Sequence, residues 1–354
     1  MASQSGSEQK YYPLFDYLRI FLAVVVMLWH DGVLDWNQSG NFAVQVFFAL
    51  SGWLIGGLLI DMSSRELPRF YFNRAMRIWI PYFITLALLV SVSLLKDHLT
   101  FKWLEIVFYK ASFVYNLFGT QQLAEFVNAM PLQGTGNHFW SVDAEEQFYL
   151  VAPFLLVMIR PFGRSPLLWA VLAATAWWCD LYASIVFGVF AAVSARRFGH
   201  IHSFTPARVM SFGGVLIFSS ALFEGLSYEA WAPLLAICIV MLLAVPGKPL
   251  FMGRFLGGMS YPLYLNHWIG VFAANAVLGP FGLKASILRH VLSAVLNLGI
   301  AAALYQWVDR RILAVRGDIF TPERGRLAMC LGYGLVSVGV VTGLVLTNIV
   351  APHA

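Results

Sequence analysis

The chain has 354 residues, of which 59% are hydrophobic and only 12% charged, with a formal net charge of +5; soluble domains run at about 45–50% apolar and about 25% charged. That composition excludes a water-soluble enzyme and, at roughly 20 apolar residues per crossing, leaves room for about ten or eleven spanning helices with no separate soluble domain. The positive charge does not describe a nucleic-acid surface either, because Lys and Arg fall in the gaps between apolar runs instead of gathering on one polar face.

In chain order, apolar runs are predicted over residues 14–34, 42–60, 78–95, 140–159, 166–179, 181–195, 209–223, 230–245, 256–278, 286–307 and 327–350. They predict an all-α fold, a polytopic transmembrane bundle of about 10–11 helices occupying 14–350 as a single domain behind a cytoplasmic tail, 1–13. The first run contains Arg19 and His30 and lacks a small-residue cleavage site, so it reads as a retained helix and not as a removable signal. The runs 166–179 and 181–195 are short and closely joined, as either a helical hairpin or one irregular crossing. Cys179, Cys238 and Cys330 lie in or beside apolar stretches without metal-binding spacing and read as fillers.

With the N-terminus in the cytoplasm, most of the 23 Lys and Arg fall inside, and Lys96, Lys102, Lys110, Lys284 and Arg289 remain outside. An odd number of crossings would then put 351–354 outside. The long connection 96–139 would be extracytoplasmic. Its apolar stretch from Phe101 to Phe118 is broken by Lys102, Glu105 and Lys110, which predicts an interfacial or re-entrant segment. Trp103, Tyr109 and Tyr115 there offer faces for sugar rings or, alternatively, anchor the interface.

Ionisable groups inside apolar helices are costly, so each is a functional candidate. Arg19 and His30 are eleven residues apart, about three turns and roughly 16 Å along one helix face, and would line one wall of a groove. An imidazole suits proton abstraction from a hydroxyl and a guanidinium suits phosphate. Separately, Arg19 would snorkel to head groups and His30 would sit in the interface. Arg65, Arg69, Arg74 and Arg77, set against Asp61 and Glu66, make either a cytoplasmic phosphate site or an ordinary positive-inside loop on anionic lipid.

The segment His138–Pro153 reads as a helix start at Ser141 with Asp143, Glu145 and Glu146 in its first turns, more carboxylates than capping requires. One of these acids would orient a histidine or accept a sugar hydroxyl. In 257–270, Tyr264 and His267 share a helix face; the alternative is a histidine packed between helices and bonded to a carbonyl. Gly52 and Gly56 have the small-xxx-small spacing of close helix packing.

Taken in order, these segments resemble the acyltransferase-3 family of integral-membrane acyltransferases, mostly bacterial O-acyltransferases of surface polysaccharides. The likeness rests on Arg19 and His30, the stretch Phe47–Gly52, and Arg74, Arg77, Ile78 and Pro81. It continues with Trp140, Ser141, Glu145, Gln147, Phe148, Tyr149 and Pro153, and then with Gly257, Ser260, Tyr261, Tyr264, Leu265 and His267. Val142, Asp143 and Ala144 depart from the family's common Leu-containing stretch, as does Asn266 from its frequent Trp. A stand-alone member without an appended esterase-like domain is expected.

The resemblance implies acyl-CoA, most often acetyl-CoA, as donor, no metal, and a carbohydrate or glycolipid acceptor beside membrane lipid. It implies a multi-pass protein of the bacterial inner membrane acting in O-acetylation of a polysaccharide such as lipopolysaccharide or exopolysaccharide. Arg19, Arg65, Arg69, Arg74 and Arg77 would bind the donor's phosphates. His30 would act as general base or carry the acyl group, with Glu145 orienting it or binding the acceptor and His267 stabilising the thioester oxyanion. Trp140, Ser141, Glu146 and Tyr264 would contact the substrate. The rival readings are acylation of a hydrophobic natural product such as a macrolide, and a multi-pass transporter or flippase.

Overall fold

A computed structural model describes residues 11–350. Among them every element is helical or a turn, and twelve helices have ten or more residues. They are α1 (Pro13–His30), α2 (Ser39–Asp61), α3 (Leu67–Lys96), α4 (Phe101–Ala111), α5 (Trp140–Pro153), α6 (Pro166–Trp178), α7 (Ala183–Phe198), α8 (Thr205–Phe223), α9 (Tyr228–Leu243), α10 (Gly253–Leu278), α11 (Ile287–Leu304) and α12 (Pro322–Val350). Each predicted apolar run falls on one of them, and α4 is the addition. Six stretches are long and apolar enough to cross a membrane: Pro13–His30, Ser39–Asp61, Ser64–Lys96, Thr205–Phe223, Ile287–Val315 and Pro322–Thr347. The other predicted runs lie on helices that are shorter or that carry polar residues, such as Asn266 and His267 in α10. The protein is an all-α, multi-pass membrane bundle. The tail residues 1–10 and 351–354 lie outside the described residues.

The chain forms two compact units, one built from residues up to Met62 with Leu155–Ser260, the other from Ser63–Phe154 with the chain from Tyr261 onward.

In the first unit α2 packs along α7 at close range. A Cβ on Gly52 would come 2.0 Å from the Ile185 carbonyl oxygen, and one on Gly188 would come 2.2 Å from that of Ala49. Two helices approach this closely only where neither has a side chain, so Gly52 and Gly188 set the crossing. Gly52→Val is expected to lower stability by about 3 kcal/mol or more through overpacking, read as a fall in the thermal midpoint in detergent; an unchanged midpoint would contradict the packing account. The hairpin reading of 166–195 is the one the chain adopts: Asp180 (φ 53°) and Tyr182 (φ 50°) take left-handed conformations between α6 and α7, ending one helix before the next begins. The three cysteines are free thiols.

In the second unit α3 starts after a capping box, in which the Ser63 N–H and hydroxyl both donate to Glu66 Oε2 at 2.8 and 2.7 Å. The segment after α3 is buried on one side, while Phe101 and Leu104 are exposed on the other. Ile106, Tyr109, Val114, Tyr115 and Met130 form a buried cluster, against which Val336 and Val340 of α12 pack. Trp103, Tyr109 and Tyr115 are at most 4% exposed, so none presents a free face for a sugar ring. The Trp103 indole donates to Ser93 Oγ at 2.7 Å and the Tyr115 hydroxyl to Asn137 Oδ1 at 2.9 Å.

Candidate active site

The turn that leads into α5 is held from below by Lys110. Its ammonium donates to the carbonyls of Thr135 (3.2 Å) and Gly136 (2.8 Å) and lies over the rings of Tyr115 and Phe139. Gly136 has φ 76°, and a Cβ there would come 2.7 Å from Leu89 and 3.1 Å from the Lys110 ammonium. Asp143, fully buried, accepts from the Tyr115 N–H (2.9 Å) and the Tyr82 hydroxyl (3.3 Å). Burial drives Lys110 down to about 7, against the upward pull of Asp143. Lys110→Met keeps the volume but strands the Thr135 and Gly136 carbonyls that the ammonium bonds. It is expected to cost about 3 kcal/mol, measurable as a lower unfolding midpoint.

This turn delivers His138 to α10. His138 and His267 are both buried, with ring centroids 4.4 Å apart. His138 Nε2 lies 3.3 Å from the Leu265 carbonyl and His267 Nδ1 lies 2.8 Å from that of Tyr264. Ser141 Oγ and the Tyr264 hydroxyl are 2.5 Å apart, and both donate to the His138 carbonyl, at 3.2 and 2.8 Å. Three of the predicted residues, Ser141, Tyr264 and His267, are thus brought together. His267 makes the carbonyl bond of the packed alternative and also meets a second imidazole. His138 was not among the residues predicted for the site; its signal was an ionisable ring immediately before an apolar helix.

The helix α5 begins at Trp140, one residue from the expected start, after the tight turn Asn137–Phe139; Asp143 lies in its first turn and Glu145 and Glu146 in its second, whereas Ser141 is inside the helix without capping it. Glu145 Oε1 accepts from the Tyr149 hydroxyl at 2.5 Å, and buried Glu146 accepts from the Trp79 indole at 2.7 Å through Oε2. Trp140, half-buried, packs against the buried cluster of Ile106, Tyr109, Val114, Tyr115 and Met130.

The four arginines before and within α3 have separate surroundings. Arg65 is exposed in the short turn Ser64–Glu66. The Arg69 guanidinium lies 5.5 Å from the Phe320 ring, and that of Arg74 lies over Phe70 (5.8 Å) and Tyr149 (5.6 Å). Arg77 is exposed and within electrostatic reach of Asp309. Of the predicted acids, Glu66 closes the capping box and Asp61 pairs with Arg196 at 2.8 Å.

In the first unit, Arg19 pairs with Asp16 at 3.3 Å. Asp16 is buried, accepts from the Tyr11 hydroxyl, and abuts Gly257, where a Cβ would come 2.7 Å from Asp16 Oδ1. The sequence reading missed Asp16, although an acid three residues before Arg19 on the same face of a membrane helix was its signal. His30, exposed at the end of α1, has Nδ1 at 3.0 Å from the Val26 carbonyl. That bond makes Nδ1 the N–H donor and Nε2 the basic nitrogen.

The chain is an all-helical membrane bundle that carries two buried histidines, buried acids and a group of arginines before and within α3. The pattern that defines a family described as an acyltransferase domain matches residues 12–306, and the chain belongs to this acyltransferase-3 family. BcsY of Komagataeibacter xylinus, named as a membrane-bound transacylase, is 25% identical over 91% of this chain and 89% of its own length. The peptidoglycan O-acetyltransferase OatA of Listeria monocytogenes is 26% identical over 45% of this chain, and the O-acetyltransferase OatA of Staphylococcus aureus is 28% identical over 42%. The matched regions are only 26% and 25% of those two relatives' lengths. No solved structure matches the chain. The protein is an acyl-transferring enzyme of the membrane.

Proposed function

We propose that residues 14–350 act as one transmembrane O-acyltransferase domain that moves an acyl group, acetyl in the first instance, from cytoplasmic acyl-CoA to a hydroxyl of a cell-surface or lipid-linked carbohydrate. The observation that carries this reading is the set of guanidiniums on α3, with Arg69 over the Phe320 ring and Arg74 over Phe70 and Tyr149, permanent cations of the kind that bind phosphate. The buried imidazole and hydroxyl cluster of His138, Ser141, Tyr264 and His267 belongs to the same unit as those guanidiniums. The carbohydrate acceptor is supported by the relative named for peptidoglycan O-acetylation.

In this reading Arg65, Arg69, Arg74 and Arg77, with Arg19, bind the donor's phosphates. Nε2 of His30 takes the proton of the acceptor hydroxyl as its oxygen attacks the thioester carbonyl. The C–S bond then breaks, and the thiolate leaves as coenzyme A with the proton from the imidazolium. Alternatively, Nε2 accepts the acyl group itself and passes it on. His267 stabilises the oxyanion, and Glu145, Glu146, Trp140, Ser141 and Tyr264 contact the acceptor. The protein is an inner-membrane enzyme of a bacterium with its N-terminus in the cytoplasm, in keeping with the Lys and Arg asymmetry.

The test offers radiolabelled acetyl-CoA to one face of proteoliposomes and glycan acceptors to the other. Label on the glycan only when the two are on opposite faces supports the reading. Transfer only when both are on the donor's face, or only to a hydrophobic natural product, overturns it.

A further inference from the structure

Arg316 follows the short helix Arg310–Val315 and lies beyond the residues that the family pattern covers. The chain around it runs along α3. Helix Arg310–Val315 packs on α3, and Gly325 meets Pro68 so closely that a Cβ would come 2.5 Å from the Pro68 carbonyl oxygen. The Phe320 ring packs on Phe72 at 5.5 Å and carries the Arg69 guanidinium on its face. Arg316 is half-buried and within electrostatic reach of Arg74 and Arg69; burial, and then those two cations, pull its proton affinity below the ordinary guanidinium value.

Three cations are therefore crowded from two chain segments. Among the described residues no carboxylate comes within ion-pair distance of Arg69, Arg74 or Arg316, and Arg74 Nε is buried without a hydrogen-bond partner; Glu146, within electrostatic reach of Arg74, is one acid against three cations. Like charges held this way repel one another unless an anion sits among them. Aromatic rings lie within 5.8 Å of the Arg69 and Arg74 guanidiniums, and a guanidinium offers a phosphate a bidentate grip.

We propose that Arg316 joins Arg69 and Arg74 in a seat for a phosphate group, and that the phosphate is carried by the nucleotide end of the thioester donor. This rests on the acyl-CoA reading above and adds to it a residue from outside the region that defines the family. A lipid head group is the other source of the same chemistry.

The test uses the full chain in neutral phosphatidylcholine nanodiscs, titrated with coenzyme A and with pantetheine, which lacks the phosphates. Arg316→Ala is expected to weaken coenzyme A binding about tenfold, the loss of one charge-assisted contact, and to leave pantetheine binding unchanged. The apparent KM for acetyl-CoA should rise by the same factor with kcat held within about twofold. Arg316→Lys should recover only part of the loss, because the planar fork is gone. Unchanged coenzyme A affinity in Arg316→Ala, with a loss in Arg74→Ala, overturns the assignment of Arg316 and leaves the acyl-CoA reading standing. Equal losses for coenzyme A and pantetheine overturn it as well. If the wild-type chain ignores coenzyme A but takes up phosphatidylglycerol in an Arg316-dependent manner, the seat stands, its donor assignment is overturned and the acyl-CoA reading fails with it. Binding of neither overturns both.

Discussion

His30→Ala is expected to abolish acyl transfer while coenzyme A binding and expression stay near wild type. The bond from Nδ1 to the Val26 carbonyl selects the tautomer in which Nε2 is basic, so the ring meets an acceptor with a lone pair and not an N–H. Loss of a general base costs about 10²–10⁴-fold in rate, and loss of an acyl-carrying nucleophile costs at least as much. Acid quench of the wild-type protein with labelled acetyl-CoA and no acceptor separates the two roles. Stoichiometric label on the protein, absent from His30→Ala, identifies an acyl-imidazole; no label identifies a base. Activity of His30→Ala within a few-fold of wild type removes the residue from the chemistry.

Arg74→Ala is expected to give the second largest change, and in a different constant. Its guanidinium lies over Phe70 and Tyr149, and Tyr149 in turn donates to Glu145, so ring contacts favour its position before any ligand arrives. A pre-organised charge-assisted contact of this kind is worth about 1.5–3 kcal/mol, so the apparent KM for acetyl-CoA should rise about 10- to 100-fold with a small change in kcat. Arg77→Ala should act in the same direction. An unchanged apparent affinity in Arg74→Ala discards the phosphate-binding role.

The helices were legible before any coordinates because hydropathy is a property of about 20 consecutive residues: every apolar run became a helix, and the break at Asp180 and Tyr182 resolved 166–195 into a hairpin. The arginines of α3 were legible as a group, since they are close in sequence. What they individually touch was not. Phe320 and Arg316 reach Arg69 and Arg74 from far along the chain. The aromatic residues of 96–139 misled in the other direction: Trp103, Tyr109 and Tyr115 look like interface or sugar-stacking residues by type and are core by position.

The amino-acid order by itself determined that this is a multi-pass helical membrane protein with ionisable residues at the helix ends and a family resemblance confined to short motifs, since those are local features. Only the tertiary structure decided that Ser141 meets Tyr264 across 123 residues, that His138 joins His267, and that Lys110 props the turn that makes both possible. The physical reason is that a membrane helix shows its apolarity in every turn, whereas the partner of a buried polar group is set by which helices pack together.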